Sequence, residues 1–217
     1  MKLYYAPGAC SLAAHIALAE SGLPYTIERV DLRSHTVGDG RDYYGLNPKG
    51  YVPLLELDHG ERLSEVAVIL QYIADRKPGT LAPAFGSIER YRVMEWLNFI
   101  ATEIHKGLAP LWKPTTPDAY RSITLDNVNA RLDYVVKRLA DQPYVMGDAF
   151  TIVDAYLFTI VNWHNFLKFD LARWPALSQY QARVAARPGV QAALGAEHLL
   201  NNRRKPRNRR LQPTRQR

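Results

Sequence analysis

The chain has 217 residues, 47% of them hydrophobic, so it can hold one large domain or two smaller ones around a proper core. No apolar run is long enough to cross a membrane, and the N-terminus has no charged-then-apolar signal pattern. The single cysteine excludes a disulfide within the chain, and these features together predict a cytoplasmic protein.

The formal net charge of +7 comes from the end of the chain. After Leu200 there are eight basic residues and no acidic ones, whereas residues 1–200 have 20 basic and 21 acidic residues. We therefore predict a near-neutral folded part and a basic, disordered tail over residues 201–217. The tail is either a solvated extension or a non-specific binder of polyanions, so nucleic acid is not an expected partner of the folded part.

Strand and helix patterns alternate over the first eighty residues. A strand at residues 3–6 ends at Pro7-Gly8, a helix follows over residues 10–20, and a second strand covers residues 25–31. Three further elements complete this half. They are a short irregular helix near residues 41–46, a hairpin with strands at 51–57 and 62–64, and a helix over residues 65–77. The order βαβ, irregular helix, ββα predicts a thioredoxin-like α+β domain.

Three features of this half have both a structural and a chemical interpretation. Cys10 is either a small buried hydrophobe or a thiol at a helix start, where a thiolate is favoured. Pro53 is either an ordinary strand-opening proline or a cis proline that leaves the Val52 backbone free to pair with a peptide-like ligand. Ser64 and Glu65 are either an N-cap and a dipole partner, or a place where helix N–H groups bind a carboxylate while Glu65 binds an ammonium.

Strand patterns disappear from residue 87 onward. We predict helices over residues 89–108, 118–139, 154–167, 176–186 and 189–198. Thr151 and Asp154 form a capping-box pattern with Phe150 at the hydrophobic-staple position, and the helix that they open is apolar on most faces. The chain is thus predicted to consist of a first domain at 1–79, a linker at 80–86 and an all-helical domain at 87–200.

Several motifs resemble those of the cytosolic glutathione S-transferases, most closely the bacterial beta class. They are Met1-Lys2-Leu3-Tyr4-Tyr5, Pro7-Gly8-Ala9-Cys10-Ser11-Leu12, Asn47-Pro48-Lys49-Gly50 with Val52-Pro53, Gln71-Tyr72-Ile73-Ala74-Asp75, Glu89-Arg90-Tyr91, Glu95-Trp96-Leu97-Asn98-Phe99, Glu103-Ile104-His105-Lys106-Gly107 and Phe150 to Phe158. The resemblance spans about residues 1–199, and the Cys-Ser and His-Lys pairs are its most class-specific part.

The resemblance implies a two-domain homodimeric enzyme that binds glutathione and a small hydrophobic electrophile, without a metal. It implies that Cys10, Ser11 and His105 are catalytic, with Cys10 against the glutathione sulfur and able to form a mixed disulfide with it. The implied glutathione-binding residues are Tyr5, His35, Tyr51, Val52, Pro53, Glu65, Val66, Asn98, Glu103 and Lys106. Tyr156 and Trp163 are candidate walls of the electrophile pocket, although core packing explains aromatic residues there equally well.

Helical spacing tests part of this implied site. Asn98 and His105 are seven residues apart and share a face of an α-helix, whereas Glu103 is about 140° from Asn98. In the family the glutamate at this position reaches the neighbouring subunit's glutathione, which favours a dimer. The sequence also departs from the family pattern, with Val66 at a position that is usually small or hydroxylated, His35 instead of the frequent lysine, and Ala14 instead of a usual proline.

Three functions remain open at this point. The first is conjugation of glutathione to xenobiotic or haloaromatic electrophiles for detoxification. The second is a glutathione-dependent thiol-disulfide reductase, peroxidase or reductive dehalogenase that works through Cys10. The third is a non-catalytic binding protein with the same fold.

Overall fold

The computed structural model describes residues 1–167 and 169–200, and the predicted tail lies outside them. Its sheet has five strands in the order β3-β2-β1-β4-β5. They are β1 (Lys2–Tyr5), β2 (Thr26–Asp31), β3 (Thr36–Val37), β4 (Leu54–Glu56) and β5 (Arg62–Ser64). β1 runs parallel to β2 and antiparallel to β4, so the predicted βαβ and ββ units meet at the central strand.

Alternation along β1 separates two clusters of buried side chains. Leu3 and Tyr5 belong to the main core with the helices, whereas Tyr4 packs with Val30, Val37, Tyr43, Val52 and Leu54 in a smaller cluster. Successive side chains of a strand point to opposite faces, which explains the division. The short strand β3 was not predicted, because it lies in a polar segment interrupted by Gly38 and Gly40.

Eight α-helices accompany the sheet in the described part of the chain. They are α1 (Ser11–Ser21), α2 (Val66–Arg76), α3 (Ile88–Phe99), α4 (Asp118–Leu139), α5 (Ile152–Val161), α6 (His164–Leu167), α7 (Pro175–Ala185) and α8 (Pro188–Ala196). Short 3-10 turns lie at Tyr43–Gly45, Ala109–Trp112 and Leu171–Arg173. Helix α1 packs against α2, α5 and α8, so it joins the sheet to the helical half.

The predicted capping box at the start of α5 is confirmed. Asp154 Oδ2 accepts the Thr151 backbone N–H at 2.9 Å, and Thr151 Oγ1 accepts the Val153 N–H at 3.3 Å. The Asp154 carboxylate also accepts the Val145 N–H and the Tyr180 hydroxyl. Every residue of α5 is buried, as its apolar sequence predicts, so the box anchors the central helix of this half.

The long helix predicted over residues 89–108 is divided. After α3, residues Ile100–His105 form a π-helical segment, in which the Lys106 N–H donates to the Ala101 carbonyl at 3.1 Å. A side chain at Gly107 would overlap the Glu103 carbonyl and press on Val128 of α4, so glycine permits this close packing. The α-helical spacing argument for Asn98, Glu103 and His105 therefore fails, because a π turn contains more residues than an α turn.

The start of α2 also differs from the prediction. Ser64 ends β5 and is not the N-cap, and the helix begins at Val66. Glu65 takes the N-cap position with φ 72° and without a side-chain capping hydrogen bond. Among the described residues, no helix combines the length and the hydrophobicity needed to span a membrane.

Candidate active site

The loop between β1 and α1 is closed by Ser11. Its hydroxyl accepts the Ala6 N–H and donates to the Ala6 carbonyl, each at 3.2 Å, and the side chain has no exposed surface. Since both contacts are to the backbone of the loop, Ser11 shapes the loop that presents Cys10. These contacts give Ser11 a structural role, and its assignment as a catalytic residue stays a prediction.

Cys10 lies at the N-cap of α1, where its thiol donates to the Val52 carbonyl at 3.3 Å. Burial raises the pKa of the thiol to about 12, and the charge of Glu65 raises it further. The N–H groups of Cys10 and Ser11 and the charge of Lys106 lower the pKa, but not enough to offset burial. Desolvation therefore opposes the thiolate expected at this helix start and outweighs the effect of the helix terminus.

The segment before β4 brings Val52 to Cys10. The Val52–Pro53 bond is cis, one of the two forms considered from the sequence. The Tyr51 carbonyl accepts the Tyr43 hydroxyl at 2.8 Å and the Asn47 amide at 2.7 Å, while the Tyr51 ring is 67% exposed. These contacts hold the backbone of Tyr51 and Val52 at the edge of the site.

His35 lies beside the same segment. Its ring is tilted against Tyr44 with centroids 4.5 Å apart, and its φ is 53°. Gly50 has φ 68°, and a side chain there would collide with the Tyr44 ring and press on His35, so the turn needs glycine. The His35 Nδ1 atom is buried and has no hydrogen-bond partner among the described residues.

Glu65 and Val66 stand at the start of α2. The Glu65 carboxylate accepts from Lys49 Nζ at 2.7 Å, and Val66 is the first residue of the helix. First-turn N–H groups of a helix lack carbonyl partners within the helix, so this end offers donors to an anion beside a carboxylate that accepts cations.

The helical half contributes three aromatic side chains. His105 Nδ1 is 2.8 Å from the Tyr156 hydroxyl, and Trp163 packs edge-on against His105 with centroids 5.1 Å apart. Trp163 also donates its indole N–H to the Gly8 carbonyl at 2.9 Å, which connects it to the Cys10 loop. Burial and the charge of Lys106 lower the pKa of His105 to about 4, so the imidazole is neutral at pH 7. Burial raises the pKa of Tyr156 well above its ordinary value, and a charge on Cys10 would raise it further.

Hydrogen bonds, ring contacts or electrostatic interactions thus link seven of the predicted site residues. They are Cys10, Val52, Glu65, His105, Lys106, Tyr156 and Trp163. Three other predicted residues are placed differently. Tyr5 is buried with its ring against His15, on the core side of β1, and its assignment to glutathione binding stays a prediction. Asn98 is exposed on α3, and Glu103 pairs with Arg131 of α4 at 2.8 Å beside Trp96, Phe99 and Tyr134.

Several residues around the Cys10 loop were not predicted from the sequence. Glu197 accepts the Gly8 N–H at 2.9 Å and pairs with His15 Nδ1 at 2.9 Å, with both side chains buried. Trp112 is 46% exposed, stands edge-on to Trp163 and has its ring centroid 6.3 Å from that of Phe166. No sequence pattern indicated a role for Glu197, Trp112 or Phe166, because these contacts join residues that are far apart in sequence.

The described residues contain no group of three or more His, Cys, Asp or Glu side chains arranged to hold a metal ion. The site combines the Cys10 thiol, the Val52 carbonyl, the Glu65 carboxylate at a helix start and the neutral His105 with its aromatic neighbours. Such a set suits a polar, peptide-like ligand with a thiol and an apolar partner next to it.

Comparison with known proteins identifies the family. Residues 8–76 match the family model described as "Glutathione S-transferase, N-terminal domain", and residues 99–188 match "Glutathione S-transferase, C-terminal domain". The glutathione S-transferase GstA of Escherichia coli O157:H7 is 47% identical, over 92% of this chain and 100% of that protein.

Two solved structures agree closely with the fold. A sphingomonad glutathione S-transferase complexed with glutathione has a TM-score of 0.88 and 44% identity, covering 92% of this chain and 100% of that one. A bacterial beta-class glutathione S-transferase from Sphingomonas chungbukensis has a TM-score of 0.88 and 43% identity, with the same coverage. The two-domain fold, the Cys10 loop and these matches show that the chain belongs to the glutathione S-transferase family, as an enzyme of its bacterial beta class.

Proposed function

We propose that the protein conjugates glutathione to small hydrophobic electrophiles, xenobiotic or haloaromatic, as a detoxification reaction. The observation that carries this proposal is the junction of the Cys10 thiol with the Val52 carbonyl, 3.3 Å apart, next to the His105–Tyr156 pair. At this junction, the Val52 backbone can pair with a peptide-like thiol, and the neighbouring aromatic side chains can contact an apolar substrate.

In the proposed complex the peptide backbone of glutathione pairs with Val52. The α-carboxylate of the γ-glutamyl group accepts a hydrogen bond from the Val66 N–H, and the α-ammonium of the same group lies against Glu65. Val66 begins α2 and Glu65 precedes it, so the two charges of the γ-glutamyl end find their partners side by side. His35, Tyr51, Pro53 and Lys106 surround the remainder, and glutathione bound in the sphingomonad relative supports the ligand.

The reaction requires a glutathione thiolate. We infer that Cys10 turns its thiol proton from the Val52 carbonyl to that sulfur and acts as a hydrogen-bond donor, because its raised pKa of about 12 keeps the proton in place. With a pKa of about 4, His105 is a weak base, so it orients the sulfur and the thiol proton passes to solvent. The thiolate then forms a bond to the electrophilic carbon, and a halide leaves with the bonding electron pair.

The electrophile is proposed to lie against Tyr156 and Trp163, with Trp112 and Phe166 at the entrance. A lower pKa of the glutathione thiol raises the thiolate fraction but also lowers the nucleophilicity of the thiolate, so the net gain in rate from pKa alone is small. Positioning of the two reactants therefore supplies most of the acceleration. The apolar walls fit a substrate without strong charge.

The test is turnover of glutathione and a chlorodinitrobenzene by the wild type and Glu65→Gln. We expect conjugation by the wild type, and a raised KM for glutathione in Glu65→Gln because the ammonium loses its charged partner. Binding of glutathione without turnover of any electrophile would overturn the proposal. A matched control is Glu61→Gln, which removes an exposed carboxylate from the β4–β5 turn.

A second candidate is thiol-disulfide reduction, or reductive dehalogenation, through Cys10. The observation in its favour is that Cys10 is a free cysteine beside the Val52 carbonyl. In this reaction the Cys10 thiolate attacks a glutathione disulfide, forms a mixed disulfide and releases one glutathione thiolate. The raised pKa of Cys10 makes this candidate the weaker one.

The assembly is proposed to be a homodimer in the cytoplasm. Trp96, Phe99 and Tyr134 form an aromatic face on α3 and α4 beside the Glu103–Arg131 pair, and Tyr134 is 55% exposed. Trp96 is buried and Phe99 is partly buried, so Tyr134 provides most of the exposed surface of this face, and aromatic surface of this kind suits a contact between subunits. Glu103 would then stand near the partner subunit, as the family resemblance implies.

A further inference from the structure

The Glu65 carboxylate, which is proposed to bind the ammonium of glutathione, forms an ion pair with a lysine in this structure. Lys49 Nζ lies 2.7 Å from Glu65 Oε1 and 3.1 Å from Ser64 Oγ. The pair joins two separate elements, because Lys49 is in the turn that leads to Val52 and Glu65 precedes α2. It thus stands between the two places where the ligand is proposed to bind.

The backbone holds both partners of this pair. Asn47 Oδ1 accepts the Lys49 N–H at 3.2 Å, and the Asn47 carbonyl accepts the Gly50 N–H at 2.8 Å, which closes the turn. Glu65 has φ 72°, a region that residues other than glycine rarely adopt. The surrounding fold therefore fixes where the ammonium and the carboxylate meet.

We propose that Lys49 is a specificity-determining residue, whose ammonium fills the cation position at Glu65 and is displaced by the α-ammonium of the γ-glutamyl group. The inference rests on the proposed function, in which Glu65 receives that ammonium. A carboxylate already paired with one cation gains less from a second, so Lys49 weakens the selection of ligands that have an α-ammonium. Removal of its charge strengthens this selection.

The size of the effect follows from solvent exposure. The Lys49 side chain is 50% exposed and that of Glu65 is 66% exposed. Ion pairs with this exposure are weak, so their loss changes a binding constant by about 1.5- to 5-fold. Added salt screens the pair and should reduce the difference between variants.

The experiment measures binding by calorimetry for glutathione and for deamino-glutathione, in which hydrogen replaces the α-amino group. We expect Lys49→Met to bind glutathione about 1.5- to 5-fold more tightly than the wild type and to bind deamino-glutathione equally well. Lys137→Met, which removes an exposed charge from α4, should change neither constant. In Glu65→Gln, the further change Lys49→Met should have no effect on glutathione.

Equal or weaker glutathione binding by Lys49→Met would overturn the inference, as would an equal gain for both ligands. If the wild type binds glutathione and conjugates it but Lys49→Met gains nothing, only this inference fails. If the wild type does not bind glutathione, the proposed function fails first and the inference fails with it.

Discussion

Trp163 donates its indole N–H to the carbonyl oxygen of Gly8 at 2.9 Å, although 155 residues separate them. The N–H of the same glycine donates to Glu197 at 2.9 Å. Both polar groups of one peptide residue are therefore held by the helical half of the molecule. Because Gly8 is two residues before Cys10, the helical half fixes the loop that presents the thiol.

Replacement of Trp163 by phenylalanine tests this connection. Trp163→Phe keeps an aromatic ring against His105 but leaves the buried Gly8 carbonyl without its donor, so we expect a loss of about 1–3 kcal/mol in the free energy of unfolding. Urea unfolding measures it, and kcat/KM for conjugation should fall as well. Trp112→Phe is the control, since Trp112 is half-exposed and its replacement should change stability by less than about 1 kcal/mol. Equal stability of Trp163→Phe and wild type would contradict the structural role.

The raised pKa of Cys10 predicts slow alkylation. With a pKa of about 12, the thiolate fraction at pH 8 is roughly 2,000-fold lower than for an ordinary cysteine, while a more basic thiolate is roughly 40-fold more nucleophilic. Iodoacetamide should therefore react roughly 50-fold more slowly than with an exposed cysteine, and the rate should still rise above pH 9. Mass spectrometry assigns the label directly, because Cys10 is the only cysteine. A rate that reaches its plateau near pH 7 would show a thiolate instead.

His105 predicts a pH dependence of stability. Its folded pKa of about 4 lies below the ordinary 6.5, so the unfolded chain takes up the proton first as the pH falls. The stability of wild type relative to His105→Gln is then fully present above pH 6.5 and decreases as the pH falls toward 4. Unfolding of both proteins, measured at several pH values, checks this. A constant difference between wild type and His105→Gln would contradict the lowered pKa.

Local patterns predicted those parts of the fold that depend on neighbours in sequence. The capping box at Thr151 and Asp154 is one case, because both residues are within one helical turn. The helix after Pro7-Gly8 is another, and it correctly placed Cys10 at a helix start. The family resemblance, not spacing, led to His105, whereas the helix-start pattern at Ser64 and Glu65 had already indicated Glu65.

Features that depend on distant contacts were not predictable in the same way. Burial opposes the thiolate expected at Cys10 and outweighs the local effect of the helix start, and the thiol donates to Val52, which is 42 residues away in the sequence. The π-helical segment lies beside Gly107, and a helical pattern cannot reveal the close approach of this glycine to Val128 of α4. Glu197 has an unremarkable position at the end of α8, and only the fold brings it to Gly8.

Conjugation is proposed to use Cys10 as a hydrogen-bond donor to the glutathione sulfur. The most direct test is the rate of chlorodinitrobenzene conjugation by wild type, Cys10→Ala and Cys10→Ser, with reduction of a glutathione mixed disulfide measured in parallel. We predict that Cys10→Ala keeps conjugation with a loss of about fivefold in kcat/KM, and that Cys10→Ser recovers most of it through its hydroxyl donor. Complete loss of turnover in both variants, together with rapid disulfide reduction by the wild type, would contradict the account and favour redox chemistry at Cys10.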